Sequence, residues 1–194
     1  MRMEKCSWAL QSPQMQDYHD KRWGRACHDE RLLFEYVVLE MMQAGLSWAI
    51  VLKKQAGFRR AFDDFDYQKI ATYNEEKIAA LCQNPAIIRN RMKIQAVVAN
   101  ARAYLALQAT FGSFDAYIWS FTTSQVIHHQ WHNEEEIPSQ DALSQKISKD
   151  MKKRGFRFVG PTIIYSYLQA IGVINDHVLY CPCYKEIVSA SQVK

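Results

Sequence analysis

Cysteine and histidine residues near the two ends of this chain form a set of metal-ligand type. Cys6 and His19 lie close to the start, whereas His177 and Cys181 lie close to the end. The latter two are four positions apart, so one helical or turn-like segment would present both on the same side. Structural zinc is held by four thiolate and imidazole ligands in tetrahedral geometry. One ion bound by both pairs would join the two ends and close a loop almost as long as the chain.

Other arrangements of these side chains are open on spacing alone. The chain has five cysteines, and intracellular thiols are most often reduced and buried without a metal. Cys27 or Cys183 could replace one of the four proposed ligands. The spacing of the first pair is also wider than in zinc fingers.

Length and composition indicate a globular protein. Hydrophobic residues make up 48% of the 194 residues, which is typical of folded proteins and argues against disorder. No apolar run approaches the roughly 18 residues needed to cross a bilayer, and no apolar segment of secretion-signal type begins the chain. We therefore expect one domain over residues 1–194, located in the cytoplasm and without membrane contact.

Positive charge is concentrated in two places, although the net charge is only +4. Arg89, Arg91 and Lys93 form one basic cluster, and residues 146–157 contain another. Such clusters are often solvated helix faces, but they also permit nucleic-acid binding.

Capping residues and helix stops predict one helix after another. Ser12-Pro13, Asp29, Ser47 and Asn74 have the character of helix N-termini. Glycines and Asn-Pro predict the ends, with Gly57 as the stop of the third helix. The predicted helices span approximately residues 13–23, 30–44, 48–56, 75–83, 93–109, 114–121, 139–154 and 161–171. Alternating strand patterns are nearly absent, which predicts an all-α fold.

Residues 77–104 are predicted to form two helices joined by a short basic loop at 84–90. This arrangement is typical of a helix-hairpin-helix element, in which backbone N–H groups and basic side chains hold a DNA phosphate. The loop lacks the glycines common in that motif, so an ordinary two-helix corner is an alternative.

Glu40 is the carboxylate that the helical pattern singles out. Leu33, Val37, Glu40 and Ala44 fall on one stripe of the predicted helix. A carboxylate among apolar neighbours costs several kcal/mol unless it finds a partner, so Glu40 is either a buried ion pair or a functional residue. Trp48 begins the next helix, and aromatic rings beside a carboxylate suit a planar, electron-poor ligand.

A series of short motifs appears in order along nearly the whole chain. They are Tyr18-His19-Asp20, Trp23-Gly24, Leu39-Glu40, Gln43-Ala44-Gly45-Leu46-Ser47-Trp48, Val51-Leu52-Lys53-Lys54, Ile87-Ile88-Arg89, Lys93-Ile94-Gln95-Ala96, Lys153-Arg154-Gly155-Phe156, Phe158-Val159-Gly160 and Asn175-Asp176-His177. The series resembles 3-methyladenine DNA glycosylase I, a bacterial family of alkylation-repair enzymes. The resemblance implies an all-α helix-hairpin-helix glycosylase with two helical lobes. Its terminal segments, 1–24 and 173–194, would be joined by one structural zinc ion.

The resemblance also implies roles for single residues. Glu40 would accept hydrogen bonds from the flipped base and attract its charge, with support from Tyr18. Trp48 would stack on the base, Trp8 would line the pocket, and Leu46 would fill the gap left in the duplex. The implied zinc ligands are Cys6, His19, His177 and Cys181, and the implied DNA-contacting residues are Arg89, Arg91 and Lys93.

The implied activity is hydrolysis of the N-glycosidic bond of 3-methyladenine, and potentially of 3-methylguanine, in alkylated double-stranded DNA. The base is flipped from the stack, an abasic site remains, and no lysine Schiff base cleaves the strand. By default we expect a monomer without an obligate protein partner. Met15 and Arg22 depart from the aromatic and acidic residues usual in the family. Met15 belongs to the implied substrate pocket, so this departure bears on the lesion range.

Two other functions are open at this point. A zinc-stabilised DNA-binding protein without catalysis would use the basic hairpin alone. A zinc hydrolase would need a metal with an open position, and His128, His129 and His132 could supply its ligands. No His-Glu-x-x-His pattern accompanies those histidines.

Overall fold

The computed structural model describes residues 5–191, so the outermost parts of the two predicted terminal segments, 1–4 and 192–194, lie outside the described residues. Within this range nearly all regular structure is helical, which confirms the all-α prediction. The helices are α1 (Pro13–Lys21), α2 (Glu30–Gln43), α3 (Trp48–Ala61), α4 (Tyr67–Ala71), α5 (Glu75–Gln83), α6 (Arg91–Phe111), α7 (Phe114–Ser120), α8 (Ala142–Lys153), α9 (Pro161–Ala170) and α10 (Pro182–Ser191). Short 3-10 helices lie at Ser7–Gln11, Asp63–Phe65 and Glu134–Glu136. Strands β1 (Ile127–His128) and β2 (Ile174–Asn175) pair in parallel.

Side-chain caps define several of the helix starts. The side chains of Ser12, Asp29 and Asn74 each accept a backbone N–H from the first turn of α1, α2 and α5, respectively. Such caps satisfy backbone donors that have no partner within the helix. These predicted starts are confirmed, whereas Ser47 precedes α3 without a side-chain hydrogen bond.

The prediction that the third helix stops at Gly57 is wrong, because α3 continues through it to Ala61. A Cβ atom at position 57 would lie 2.3 Å from the carbonyl oxygen of Ala86. The glycine therefore allows close contact between α3 and the loop at 84–90 rather than ending the helix. Helices α4 and α10 were not predicted.

Helix α2 is central to the fold, because it contacts α3, α6, α7 and α9. Its neighbours contribute a buried aromatic cluster in which Tyr104 stacks on Phe114 at 4.3 Å between ring centroids and meets Phe34 of α2 at 5.2 Å. Helix α2 is consequently held in place along its length, and it carries Glu40 near its C-terminal end.

The first and last parts of the described chain lie side by side. The Gly24 N–H donates to the Gln169 carbonyl, and the Cys27 N–H donates to the Ile171 carbonyl, both at 2.9 Å. These contacts bring the segment around α1 against α9 and the segment that leads to α10. Among the described helices, none combines the length and the apolar character required to cross a membrane.

Candidate active site and metal centre

A cavity of about 510 Å³ opens beside the C-terminal part of α2. Its walls come from five places along the chain: the N-terminal 3-10 helix, α1, the α2–α3 region, the segment around Glu134, and α9. The lining residues are Trp8, Gln11, Met15, Tyr18, Trp23, Glu40, Gln43, Ser47, Trp48, Ala49, Glu134, Ile137, Ser166 and Gln169. The structure thus brings together five of the six residues predicted to act on or bind the substrate.

Glu40 is the chemically distinctive group of this cavity. Its side chain is buried, with 3% of the residue exposed, and its Oε2 atom has no hydrogen-bond partner among the described residues. Burial raises the pKa of Glu40 from 4.5 to about 8, because water no longer stabilises the charged form. Such a carboxylate can accept hydrogen bonds from a ligand, and a nearby positive charge would stabilise its ionised form.

Aromatic rings line the same cavity as this carboxylate. The rings of Tyr18 and Trp48 lie 5.2 Å apart with an angle of 53° between their planes. Trp8 meets Trp23 edge-on, with centroids 5.0 Å apart. The Nε1 atom of Trp48 is buried and has no described hydrogen-bond partner. Offset and edge-on rings create flat apolar surfaces that are suited to a planar heterocycle.

Tyr18 is positioned close enough to Glu40 for the two groups to interact electrostatically. Burial, and secondly the charge of Glu40, raise the pKa of Tyr18 well above its usual value. The phenol therefore stays neutral and can support a contact to a bound base. Met15, also on α1, is buried in the cavity wall.

Leu46 lies outside the cavity, in the connection between α2 and α3. The residue is 39% exposed, and the preceding Gly45 has a φ of +76°, a conformation that glycine adopts without strain. An exposed apolar side chain on a tight turn next to the cavity has the placement expected of a wedge.

The four predicted zinc ligands converge in the structure. Cys6, His19, His177 and Cys181 are buried, and one ligand atom from each lies within 4.8 Å of all the others. The Sγ atom of Cys181 is 3.6 Å from Nε2 of His19 and 3.6 Å from Nδ1 of His177, and Sγ of Cys6 is 3.7 Å from the latter. Zinc bonds of 2.0–2.3 Å in tetrahedral geometry separate the ligand atoms by roughly 3.3–3.8 Å. The donor set therefore fits one zinc ion.

The surroundings of this set also suit a metal. The Nδ1 atom of His19 lies 2.8 Å from the carboxylate of Asp20, and a carboxylate in that position orients a ligating imidazole. Cys183 lies beside the set, with its Sγ 4.0 Å from the same Nδ1. Cys27 is only half-buried and lies outside the group. The geometry thus favours the predicted four residues over either replacement.

The histidines of the hydrolase alternative do not form a comparable group. Nε2 of His128 lies 2.9 Å from the Ser191 hydroxyl, and Nδ1 of His129 lies 2.6 Å from the Asp176 carboxylate. His132 is exposed. Among residues 5–191, these side chains belong to no cluster with metal-ligand spacing.

The three predicted DNA-contacting residues lie in different environments. Arg89 and Arg91 are exposed near the loop at 84–90, and Arg91 forms an ion pair with Glu75. Lys93 is buried instead, with 5% exposure, and its ammonium donates to two backbone carbonyls of the α2 C-terminus. In this conformation the ammonium does not face solvent, so Lys93 is not placed to contact a DNA phosphate.

A second turn between helices has features that the predicted hairpin lacks. Residues 154–160 join α8 to α9 and contain Gly155, with φ of +92°, and Gly160, the residue before α9. No side chain within residues 5–191 caps the first N–H groups of α9, and such groups bind anions readily. The side chain of Asn100 hydrogen-bonds both the N–H and the carbonyl of Arg157, which fixes this turn to α6. The basic cluster at 146–157 covers the last part of α8 and the first part of this turn.

The pocket also contains residues that the sequence did not indicate. Ser166 and Gln169 contribute from α9, and Glu134 contributes a second carboxylate that accepts hydrogen bonds from the backbone and side chain of Ser7. The three-residue spacing of Ser166 and Gln169 on one helix face was the only available signal. It does not reveal which cavity that face meets.

A mostly helical fold, a buried carboxylate in an aromatic cavity and exposed basic residues near turns between helices are features typical of the DNA glycosylase class. The family model described as methyladenine glycosylase matches residues 8–184. The chain belongs to the methyladenine glycosylase family. The expected enzyme class is thereby confirmed, and the alternative of a DNA-binding protein without catalysis is set aside.

Similar proteins cover nearly the whole chain. DNA-3-methyladenine glycosylase 1 of Escherichia coli (strain K12) is 47% identical over 182 residues, which are 94% of this chain and 97% of the relative. DNA-3-methyladenine glycosylase of Haemophilus influenzae (strain ATCC 51907 / DSM 11121 / KW20 / Rd) is 42% identical over 179 residues, which are 92% and 97% of the two chains.

Solved structures share the fold. A crystal structure of 3-methyladenine DNA glycosylase I superposes with a TM-score of 0.90 at 46% identity, covering 93% of this chain and 99% of the other. A variant of 3-methyladenine DNA glycosylase I in complex with 3-methyladenine gives a TM-score of 0.90 at 33% identity, covering 92% and 96%. The enzyme from Staphylococcus aureus, described for its recognition of 3-methyladenine, gives 0.91 at 34% identity, covering 94% and 97%.

Proposed function

We propose that this enzyme removes 3-methyladenine from alkylated double-stranded DNA by hydrolysing the N-glycosidic bond. The observation that carries the proposal is the buried carboxylate of Glu40, whose Oε2 atom has no hydrogen-bond partner in the described part of the chain, in a cavity walled by Trp48 and Tyr18. Relatives that are named for this activity, and a related structure with 3-methyladenine bound, support the choice of base.

The chemistry of the lesion explains why this pocket suffices. Alkylation at N3 gives adenine a positive charge, so the glycosidic bond breaks with its electron pair moving to the base, which leaves as a neutral molecule. No protonation of the base is required. Water then attacks the electron-poor sugar carbon and releases a proton, and an abasic site remains.

Glu40 is proposed to select the cation. In the free enzyme, its raised pKa keeps a large share of the carboxyl groups protonated at neutral pH. A cationic base would favour the ionised form and pair with it inside a low-dielectric cavity, where the attraction is strong. Trp48 would stack on the base, and Trp8 and Met15 would complete the apolar wall. Glu40 thus acts in recognition and electrostatic stabilisation.

Recognition requires that the damaged nucleotide leave the duplex. We propose that Leu46 fills the vacated space in the stack, as apolar wedges do. Arg89 and Arg91, together with the glycine-containing turn at 154–160, are the proposed contacts to the DNA backbone. This turn, rather than the loop at 84–90 alone, has the glycines and free helix N–H groups of a phosphate-binding hairpin.

We infer that the enzyme does not cleave the DNA strand. Strand cleavage through a Schiff base needs a lysine in contact with the sugar carbon. Within residues 5–191, no lysine lines the cavity. 3-Methylguanine is a further proposed substrate, because alkylation at N3 gives it the same charge. We also propose that the enzyme works as a cytoplasmic monomer without an obligate protein partner.

One structural zinc ion per chain is part of the proposal. Cys6, His19, His177 and Cys181 would hold it, and a closed set of four protein ligands leaves no position for a reacting water. The ion would connect the beginning of the chain to its end. Cys6 is two residues from Trp8 and His19 directly follows Tyr18, so the same connection would hold pocket residues in place.

Chromatography of the bases released from methylated duplex DNA tests the function directly. We expect release of 3-methyladenine, with 3-methylguanine detected in the same run, and no strand breaks until the abasic sites are treated with alkali. Released 7-methylguanine without 3-methyladenine, or no released base, would contradict the proposal.

A further inference from the structure

Lys93 is a buried cation that the proposed mechanism does not use. Its Nζ atom donates to the carbonyl oxygens of Met42 at 2.8 Å and Ala44 at 2.7 Å, and the residue is 5% exposed. Burial lowers the pKa of the Lys93 ammonium, and removing an ammonium from water is costly. Because burying the Lys93 ammonium costs free energy, we expect its two carbonyl contacts to have a structural or functional role.

The location of Lys93 within its own helix is unfavourable. It lies in the first turn of α6, where the partial positive charge of the helix N-terminus disfavours a cation. The compensation comes from another helix. Met42 is in the last turn of α2 and Ala44 caps it, so the ammonium meets carbonyls that have no partner within their helix and carry partial negative charge.

The C-terminus of α2 holds the parts that must act together on a flipped base. Glu40 lies one turn before it, the exposed Leu46 follows two residues after Ala44, and Trp48 begins α3. The connection contains Gly45, whose Cβ position has no atom within 4 Å, so packing at that point does not fix the turn. Among the described residues, the Lys93 ammonium makes the only hydrogen bond that joins residues 44–47 to an element other than α2 and α3.

We propose that Lys93 is a positioning residue that holds the connection at residues 44–47 in place, so that Leu46 enters the duplex while the cavity receives the extruded base. This inference rests on the proposed function. Because α6 begins directly after the loop at 84–90, Lys93 also links the basic surface around Arg89 to the wedge.

Single-turnover excision from methylated duplex DNA is the first readout. Lys93→Met keeps the length of the side chain and removes both charged hydrogen bonds, so we expect excision to fall by at least about tenfold. Affinity for free 3-methyladenine, which needs no wedge, should stay within about twofold because the cavity itself is intact. Lys54→Met is the matched control. Lys54 also donates to a carbonyl, that of Pro85 at 2.8 Å, but it does not touch the connection.

A double-mutant cycle separates positioning from general stability. If Lys93 acts through the wedge, Lys93→Met should have little further effect, about twofold or less, once Leu46→Ala has removed the wedge. An equal loss in both backgrounds, or an equal loss of free-base affinity, would overturn the inference. Lys93→Gln, which retains an uncharged donor, replaces Lys93→Met if circular dichroism shows that the latter is unfolded.

The same series distinguishes this inference from the proposed function. If the wild-type enzyme releases no 3-methyladenine, the proposed function fails. If the wild-type enzyme is active and the two substitutions are additive, only the role of Lys93 fails.

Discussion

Tyr18 and Trp48 hold their rings 5.2 Å apart at an angle of 53°, although one lies in α1 and the other begins α3. Their separation is set by the packing of two helices rather than by a local turn. Both line the cavity that also contains Glu40. The slot for a planar base is therefore built into the fold before any ligand binds.

Trp48→Ala should weaken binding of free 3-methyladenine by about 1–3 kcal/mol, the value of one base–aromatic stacking contact. Trp48→Phe should lose less, because a smaller ring still stacks. Equilibrium titration followed by fluorescence measures both affinities. Trp119→Phe is the control, since Trp119 is buried outside the cavity. Equal affinity in Trp48→Ala and the wild type would rule out stacking on this residue.

Stability should depend on pH through Glu40. Burial raises its pKa from 4.5 to about 8, so between these values the folded protein binds a proton that the unfolded chain has released. Stability from this group is complete below pH 4.5 and is lost as pH rises through about 8. Relative to Glu40→Gln, which does not titrate, the wild-type free energy of unfolding should fall by roughly 5 kcal/mol across this window.

Urea unfolding of both proteins at pH 5 and pH 9 checks this expectation. The free energy of unfolding of Glu40→Gln, relative to that of the wild type, should be higher at pH 9 than at pH 5. Parallel changes in the two proteins would show that the folded-state pKa of Glu40 is not raised.

Loss of a metal ligand should lower the stability of the fold rather than act directly on the hydrolysis step. Cys6→Ser should reduce bound zinc from about one per chain to well below it and lower the melting temperature, because the ion closes a long loop only when the protein is folded. Metal analysis and thermal unfolding measure the two quantities. Cys82→Ser is the control, since Cys82 is half-buried and outside the cluster. An unchanged melting temperature in Cys6→Ser would contradict a structural role for zinc.

Local chemistry made the helices predictable from the sequence. Ser12, Asp29 and Asn74 cap their own first turns, so each signal and its effect lie within a few residues. Gly57 misled the prediction because its role depends on Ala86, which approaches from another part of the chain. A glycine that ends a helix and one that admits a neighbour look the same in sequence.

The site was predictable to a similar extent. Glu40 was identifiable because a carboxylate among apolar neighbours is costly unless it has a partner or a function. The cysteines and histidines at the two ends of the chain indicated the four metal ligands, and the motif series indicated the aromatic residues. Lys93 was assigned to DNA from its charge, whereas its acceptors are carbonyls of α2 that no sequence pattern reveals. Ser166 and Gln169 were missed because only tertiary packing brings α9 to the cavity.

Single-turnover excision of 3-methyladenine by Glu40→Gln tests the central claim, that a buried carboxylate in an aromatic slot recognises the cationic base. Glu35→Gln is the matched control, because Glu35 is buried in the same helix but pairs with Arg59 and lies outside the cavity. We predict that Glu40→Gln slows excision by about 100-fold, the typical loss of one electrostatic stabiliser, while Glu35→Gln stays within about twofold of the wild type. Equal rates in Glu40→Gln and the wild type would contradict the account.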